Sequence, residues 1–98
     1  PCIVTSDEIP DPHNLDLWLT KNGEEKQRSN TKFLLFDIPT LISDLSSGMT
    51  LEPGDVIATG TPSGVGAGRT PQEWMWPGDV IECGVEGIGT LRNPVVKI

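Results

Sequence analysis

Ninety-eight residues suffice for one small domain, and 36% hydrophobic with 21% charged residues is typical of a globular chain. A net charge of -7, with seven dispersed Lys and Arg residues, argues against nucleic acid and an anionic membrane surface as partners. No apolar run approaches the roughly 18 residues that a membrane span needs, so the sequence predicts no membrane contact.

The first third of the chain has the pattern of short strands. Residues 2–5 are apolar and β-branched enough for one strand, and leucines alternate with other side chains over 15–20, which is the period of a half-buried strand. Asn22-Gly23 is the strongest short hairpin signal. We expect the return strand over 25–28 at a sheet edge, because its residues are polar, and a loop at 29–31.

One segment has the apolar period of a helix. The pattern predicts a helix over residues 38–47, with Asp37 as its cap, Pro39 in its first turn and Gly48 at its end. The apolar residues at i, i+3, i+4 and i+7 are Ile38, Leu41, Ile42 and Leu45.

The second half of the chain repeats the pentapeptide PGDVI, at residues 53–57 and 77–81. Each copy predicts a Pro-Gly turn followed by an apolar strand, and the first of these strands would cover residues 56–58. The segment 84–98 reads as two short strands joined near residues 87–89. The chain as a whole is therefore expected to be α+β and β-rich, with one helix.

A small hydroxyl-rich loop, residues 59–64 (TGTPSG), follows the first predicted PGDVI strand. Its glycines permit close backbone approach, its hydroxyls can donate or accept, and its backbone N–H groups can form a concave site for an anion. The alternative is a purely structural turn, since the sequence lacks the GK[ST] of a phosphate loop.

Four other features are candidates for a role. The acidic turn of Asp7, Glu8 and Asp11 is expected to be solvated surface rather than a metal site, and His13 to lie in an exposed turn. Residues 74–76 (WMW) are expected to anchor the neighbouring loop, with a subunit interface or active-site wall as alternatives. We expect the two cysteines to be free thiols, with Cys83 buried and inert.

Several motifs in this order resemble the C-terminal part of the catalytic domain of the fumarylacetoacetate hydrolase family. They are EPGDVIATGTPSGVG, PGDVIE and EGIGTLRN in the second half, with DEIPDPHNL and KNGEEKQRSNT before them. The resemblance covers nearly the whole chain. It implies a mixed β-roll or sandwich, of which residues 1–98 form the C-terminal portion, completed by an upstream part of the same domain.

The resemblance also implies a function. Family members are divalent-metal-dependent enzymes of the cytoplasm, or of mitochondria in eukaryotes, that act on small 2-oxo or 2-hydroxy acids, as in the catabolism of aromatic compounds. They hydrolyse C–C bonds, decarboxylate or isomerise through a metal-stabilised enolate, and homodimers are usual. The Mg²⁺, Mn²⁺ or Ca²⁺ ligands would lie upstream, so neither a metal ligand nor a catalytic residue is assigned here. The alternative function is a non-catalytic β-rich binding or assembly domain that has lost the metal site.

One family position transfers to the hydroxyl-rich loop. The second threonine of the TGTP motif contacts substrate in family members, and that position is Thr61 here. We expect Gly60 to leave room for the ligand and Gly64 to let the loop close behind it.

Overall fold

The computed structural model describes residues 2–98 and contains one four-stranded antiparallel sheet, one α-helix and two single-turn 3-10 helices. The strands have the order β2-β1-β3-β4. The elements are β1 (Asp16–Lys21), β2 (Glu24–Asn30), the 3-10 turn Thr31–Phe33, α1 (Ile38–Gly48), the 3-10 turn Gly66–Gly68, β3 (Val80–Val85) and β4 (Gly89–Pro94). The expected α+β, β-rich class with one helix is confirmed. Neither this helix nor the short turns of residues 2–98 have the length and apolar character needed to cross a bilayer.

The first hairpin forms where the Asn-Gly pair predicts it. Asn22 and Gly23 have φ values of 52° and 80°, which are the positive angles of a type I′ turn. β2 is an edge strand, as expected, but it continues through Ser29 and Asn30, where a loop was predicted.

The hairpin turn is fastened to the start of β3. The Val80 N–H donates to the side-chain oxygen of Asn22, and the Asn22 side chain donates to Asp79, both at 2.8 Å. Lys21 lies 3.0 Å from the other Asp79 oxygen, which also accepts from the Trp76 N–H at 2.8 Å. These hydrogen bonds, that of the Trp76 amide first, lower the pKa of Asp79 from its ordinary value of 3.8 to about 2.

The strand register divides the sheet into two faces. Leu19 lies between Gln27 of β2 and Cys83 of β3, so these residues share one face with Leu17 and Ile81. We call this the loop face, because residues 59–69 contact it. The opposite face carries Trp18, with Arg28 5.9 Å from its ring centre. A Cβ on Gly84 would overlap the Trp18 ring, so only glycine fits there.

The helix α1 agrees with its predicted bounds to within one residue. The Asp37 side chain accepts from the Thr40 N–H at 2.8 Å, Pro39 lies in the first turn, and the helix ends with Gly48. Hydrogen bonding by the Thr40 side chain, and then by its backbone N–H, lowers the pKa of Asp37. None of the helix side chains is fully buried within the described part of the chain.

Two predicted strands are absent. Residues 2–5 and 56–58 have extended or irregular backbone but pair with no other strand among residues 2–98. An apolar run becomes a strand only when a neighbour accepts and donates its backbone hydrogen bonds, and Val56 is instead 91% exposed. The strands predicted around residues 87–89 do form a hairpin, β3 with β4.

The sheet is thinly covered by the described residues. Ile81 is the one large hydrophobic residue among them that is buried, at 9% exposure. Both cysteines are free, as predicted, but the burial predicted for Cys83 is wrong: its side chain is exposed on the loop face. With so small a core, much of the apolar surface of the described residues is exposed.

Candidate functional site

The hydroxyl-rich loop (residues 59–64) lies against the loop face and is held there by one side chain of β2. The Gln27 Nε2 atom donates to the carbonyl oxygens of Pro62 at 2.8 Å and Ser63 at 3.2 Å. It also lies 3.2 Å from the hydroxyl oxygen of Thr61. Three successive loop residues therefore share the two hydrogens of one amide.

Arg69 holds the next residue of the loop. Its Nε atom donates to the Gly64 carbonyl at 3.0 Å, and its Nη2 atom donates to the Lys26 carbonyl. Gly64 has a φ of +100°, and a Cβ there would overlap the Lys26 carbonyl oxygen and lie 3.2 Å from Cγ of Gln27. A glycine is thus needed both for the backbone angle and for the close contact with β2.

A largely covered ammonium group links β2 to the segment before β3. The Lys26 Nζ atom lies 2.9 Å from Glu73 and 2.9 Å from Glu24, and the side chain is only 11% exposed. Hydrogen bonds to Glu73 and then Glu24 raise the pKa of Lys26, and the same contact lowers the pKa of Glu73. Both partners are consequently charged at neutral pH and serve as a structural clamp.

Two cavities flank Gln27 on the loop face. The first, of about 340 Å³, is lined by Gly60 and Thr61. The second, of about 240 Å³, is lined by Gly64, Gln27 and the apolar side chains of Leu19 and Ile81. The structure thus places two of the three predicted substrate-contact residues at one cavity and separates Gly64 from them.

The 340 Å³ cavity, which we call the threonine cavity, is lined by both polar and apolar residues. The residues that line it carry no ionisable side chain. Its hydroxyl groups are those of Ser29, Thr31, Thr59 and Thr61, and its apolar wall consists of Leu17, Phe33, Leu34 and Leu35. The Thr31 hydroxyl already accepts from the Leu15 N–H at 2.9 Å, whereas Thr61 is exposed. The cavity can bind and orient a small polar molecule with an apolar part.

His13 is half-buried, so the exposed position predicted for it is wrong. Its Nε2 atom accepts a hydrogen bond from the Ile38 N–H at 3.0 Å, at the first residue of α1. This N–H is one of the four that a helix cannot satisfy itself, and His13 therefore acts as a second cap beside Asp37.

The apolar stretch of residues 74–76 is exposed in this chain. The side chains of Trp74, Met75 and Trp76 have exposed fractions of 52%, 60% and 65%. Anchoring comes instead from the backbone, since the Trp74 carbonyl accepts from Lys21 Nζ at 2.6 Å.

The family model described as fumarylacetoacetate (FAA) hydrolase C-terminal matches residues 1–96. The chain belongs to the fumarylacetoacetate hydrolase family. Its sheet is shared with solved members, since two bacterial structures superimpose with a TM-score of 0.93.

Three relatives illustrate the range of the fumarylacetoacetate hydrolase family around this chain. A 2,4-didehydro-3-deoxy-L-rhamnonate hydrolase from a Sphingomonas species is 48% identical, covering 97% of this chain and 34% of the relative. A maleylpyruvate hydrolase structure from Sphingobium sp. SYK-6, in complex with manganese(II) and pyruvate, is 40% identical with a TM-score of 0.86 over 96% and 33% of the two chains. A 5-carboxymethyl-2-hydroxymuconate delta-isomerase structure from Mycobacterium smegmatis is 48% identical with a TM-score of 0.79 over 90% and 32%.

The chain spans about one third of the length of the curated relatives it matches. Within residues 2–98 of this fumarylacetoacetate hydrolase chain, no three His, Cys, Asp or Glu side chains converge as a metal site would require. Asp7, Glu8 and Asp11 are exposed, and a hydrogen bond with Thr5 lowers the pKa of Asp7.

Two residues at the site were missed in the sequence, Gln27 and Arg69. A signal for Gln27 existed: its strand pairs with the leucine strand, and the Leu19–Gln27 register places a polar amide on the apolar face. A half-buried polar group on such a face needs hydrogen-bond partners, and the hydroxyl-rich loop supplies them.

Proposed function

We propose that this chain forms one wall of the substrate site in a divalent-metal-dependent enzyme acting on small 2-oxo or 2-hydroxy acids. The observation that carries the proposal is the exposed position of Thr61 on the wall of the threonine cavity. Gly60, with a φ of +99° and open space at its Cβ position, leaves the backbone beside Thr61 approachable. Pyruvate, the molecule in complex with the maleylpyruvate hydrolase neighbour, is the simplest 2-oxo acid of this class.

Thr61 has the chemistry of an anchor for the acid. Its hydroxyl can donate to a carboxylate oxygen, and a hydrogen bond to a charged group contributes about 1.5–3 kcal/mol. The half-buried side chains of Leu17 and Leu34 would contact an apolar or unsaturated tail of the substrate.

A bound Mg²⁺, Mn²⁺ or Ca²⁺ ion would supply Lewis-acid polarisation of the 2-oxo group. Residues 2–98 do not fit as the site for such an ion, because no converging set of oxygen ligands exists among them. We therefore assign the metal ligands to the remainder of the same catalytic domain, outside this chain. Support for a metal comes from the neighbour with manganese(II).

The part played by this chain is binding and orientation. The residues lining the threonine cavity include no acid, base or nucleophile with an ionisable side chain, so we assign proton transfer to groups beyond this lining. Relatives include hydrolases and an isomerase, and C–C hydrolysis, isomerisation and decarboxylation all remain within the proposal. A cytoplasmic homodimer is the assembly we propose, on the family resemblance.

The test compares two substitutions of Thr61 in the full-length protein. Pyruvate would be titrated at saturating Mn²⁺ by isothermal calorimetry. Thr61→Val, which keeps the shape and removes the hydroxyl, should weaken pyruvate binding roughly 10- to 150-fold. Thr61→Ser, which keeps the hydroxyl, should stay within about threefold. Equal affinities for wild type and Thr61→Val would reject Thr61 as the contact.

The same titration addresses the non-catalytic alternative. A full-length protein that bound neither Mn²⁺ nor pyruvate would favour a binding or assembly domain that has lost its metal site. Binding of both, with the Thr61 dependence above, would exclude that alternative.

A further inference from the structure

We infer that Gln27 is a positioning residue that forces the Thr61 hydroxyl to act as a hydrogen-bond donor, so that the group bound there is an oxygen acceptor such as a carboxylate. The inference rests on the proposed function, because it concerns the same threonine cavity. It adds the direction of the hydrogen bond between Thr61 and the ligand, and it names Gln27 as the residue that sets this direction.

The orientation of the Gln27 amide is dictated by the loop backbone. The carbonyl oxygens of Pro62 and Ser63, at 2.8 and 3.2 Å, can only accept hydrogen bonds. If the amide were turned over, its own oxygen would face both carbonyl oxygens, with repulsion and two lost hydrogen bonds. The NH₂ end of Gln27 therefore points at the loop.

This NH₂ group also determines whether the Thr61 hydroxyl donates or accepts a hydrogen bond. It lies 3.2 Å from the Thr61 hydroxyl oxygen, and its two hydrogens are shared among Pro62, Ser63 and Thr61. The amide nitrogen has no acceptor capacity, so Thr61 cannot donate to it. A hydroxyl has one hydrogen and can accept on its oxygen. Because the NH₂ group of Gln27 offers the Thr61 hydrogen no acceptor, this hydrogen is directed elsewhere and is available to an oxygen in the cavity.

The rest of the loop has the same polarity. Arg69 donates to the Gly64 carbonyl at 3.0 Å, so the acceptors of Pro62, Ser63 and Gly64 are all used on the side of Gln27 and Arg69. In a trans peptide the N–H of the following residue points opposite to the carbonyl. The N–H groups that follow these three carbonyls therefore point away from Gln27 and Arg69, and they belong to the part of the loop beyond the threonine cavity.

The test reverses the polarity at position 27 in the full-length protein. Gln27→Glu has nearly the same shape, but its carboxylate can only accept, so it would draw the Thr61 hydrogen toward itself and repel the two carbonyl oxygens. At saturating Mn²⁺, we expect its pyruvate dissociation constant to rise about tenfold or more. The Mn²⁺ dissociation constant should stay within about threefold.

A matched control is Gln72→Glu. The Gln72 Nε2 atom donates to the Ala67 carbonyl at 3.0 Å, close to the loop but not to Thr61, so the substitution makes the same change of charge and donor at another site. Its pyruvate affinity should stay within about threefold of wild type. Equal losses in both variants would overturn the inference, because a general effect of charge or loop strain would then explain them.

The outcome is separable from that of the proposed function. If Thr61→Val weakens pyruvate binding and Gln27→Glu does not, the proposed function stands and the polarity inference is overturned. If Gln27→Glu does not fold, Gln27→Met keeps the length and removes the donor without adding charge. That variant should lose at least threefold in pyruvate affinity, and an unchanged affinity overturns the inference.

Discussion

Two glycines of the hydroxyl-rich loop allow the contact with β2 to be measured separately from backbone strain. Gly60 and Gly64 have nearly equal φ values, +99° and +100°, so an alanine at either site carries a similar strain of about 1–3 kcal/mol. At Gly60 the new methyl group meets nothing within 4 Å. At Gly64 it would overlap the Lys26 carbonyl oxygen.

The difference between the two variants gives the contact's contribution. The Gly64→Ala methyl either compresses the packing, at about 1–3 kcal/mol, or lifts the loop from Gln27 and Arg69 with the loss of hydrogen bonds of about 0.5–1.5 kcal/mol each. We therefore expect Gly64→Ala to lose roughly 1–3 kcal/mol more unfolding free energy than Gly60→Ala. Urea denaturation of the full-length protein, followed by tryptophan fluorescence, measures both values. Equal losses, within about 0.5 kcal/mol, would refute the close seating of the loop on β2.

Three further predictions concern the chain as a whole. Residues 1–98 expressed alone should aggregate or melt without cooperativity, because residues 74–76 expose apolar side chains; a sharp calorimetric transition would contradict this. Asp79→Asn should lower the urea midpoint of the full-length protein at pH 7, because ionised Asp79 accepts stabilising hydrogen bonds that asparagine cannot fully replace. The difference in urea midpoint between wild type and variant should disappear as the pH falls from about 4 to 2, since the lowered pKa of Asp79 stabilises the fold only while the group is ionised. A deficit that persisted at pH 2 would argue against that origin. The exposed acidic turn consists of Asp7, Glu8 and Asp11. When Asn or Gln replaces all three in the full-length protein, the Mg²⁺ dissociation constant measured by calorimetry should stay within about threefold of wild type. A tenfold loss of Mg²⁺ affinity would place metal ligands among these three residues.

Short-range signals predicted the elements that depend on neighbours in the sequence. The Asn22-Gly23 pair supplies two positive φ angles wherever it is placed, and Asp37 reaches the Thr40 N–H within its own helical turn. Neither feature needs a distant partner to form. Both features could therefore be predicted from the sequence without knowledge of the fold.

The repeated PGDVI shows where local prediction ends. Gly54 and Gly78 have φ values of 102° and 101°, and each aspartate accepts the N–H three residues before it, Asp55 from Glu52 and Asp79 from Trp76, both at 2.8 Å. The two turns are thus alike. Only the second continues as a strand, because β1 and β4 lie on either side of it to take up its backbone hydrogen bonds.

The candidate site depends on the same kind of distant pairing. The TGTP motif pointed to Thr61 as the substrate contact, but the partner of its hydroxyl is 34 residues earlier in the chain. Gln27 becomes meaningful only through the register that sets it opposite Leu19, since a shift of one residue would turn its amide to the other face. The hairpin turn at Asn22-Gly23 fixes one end of that register, and the ladder is irregular between Leu19 and Thr20. The position of a donor at the threonine cavity is therefore set by a turn and a strand irregularity that do not contact the cavity themselves.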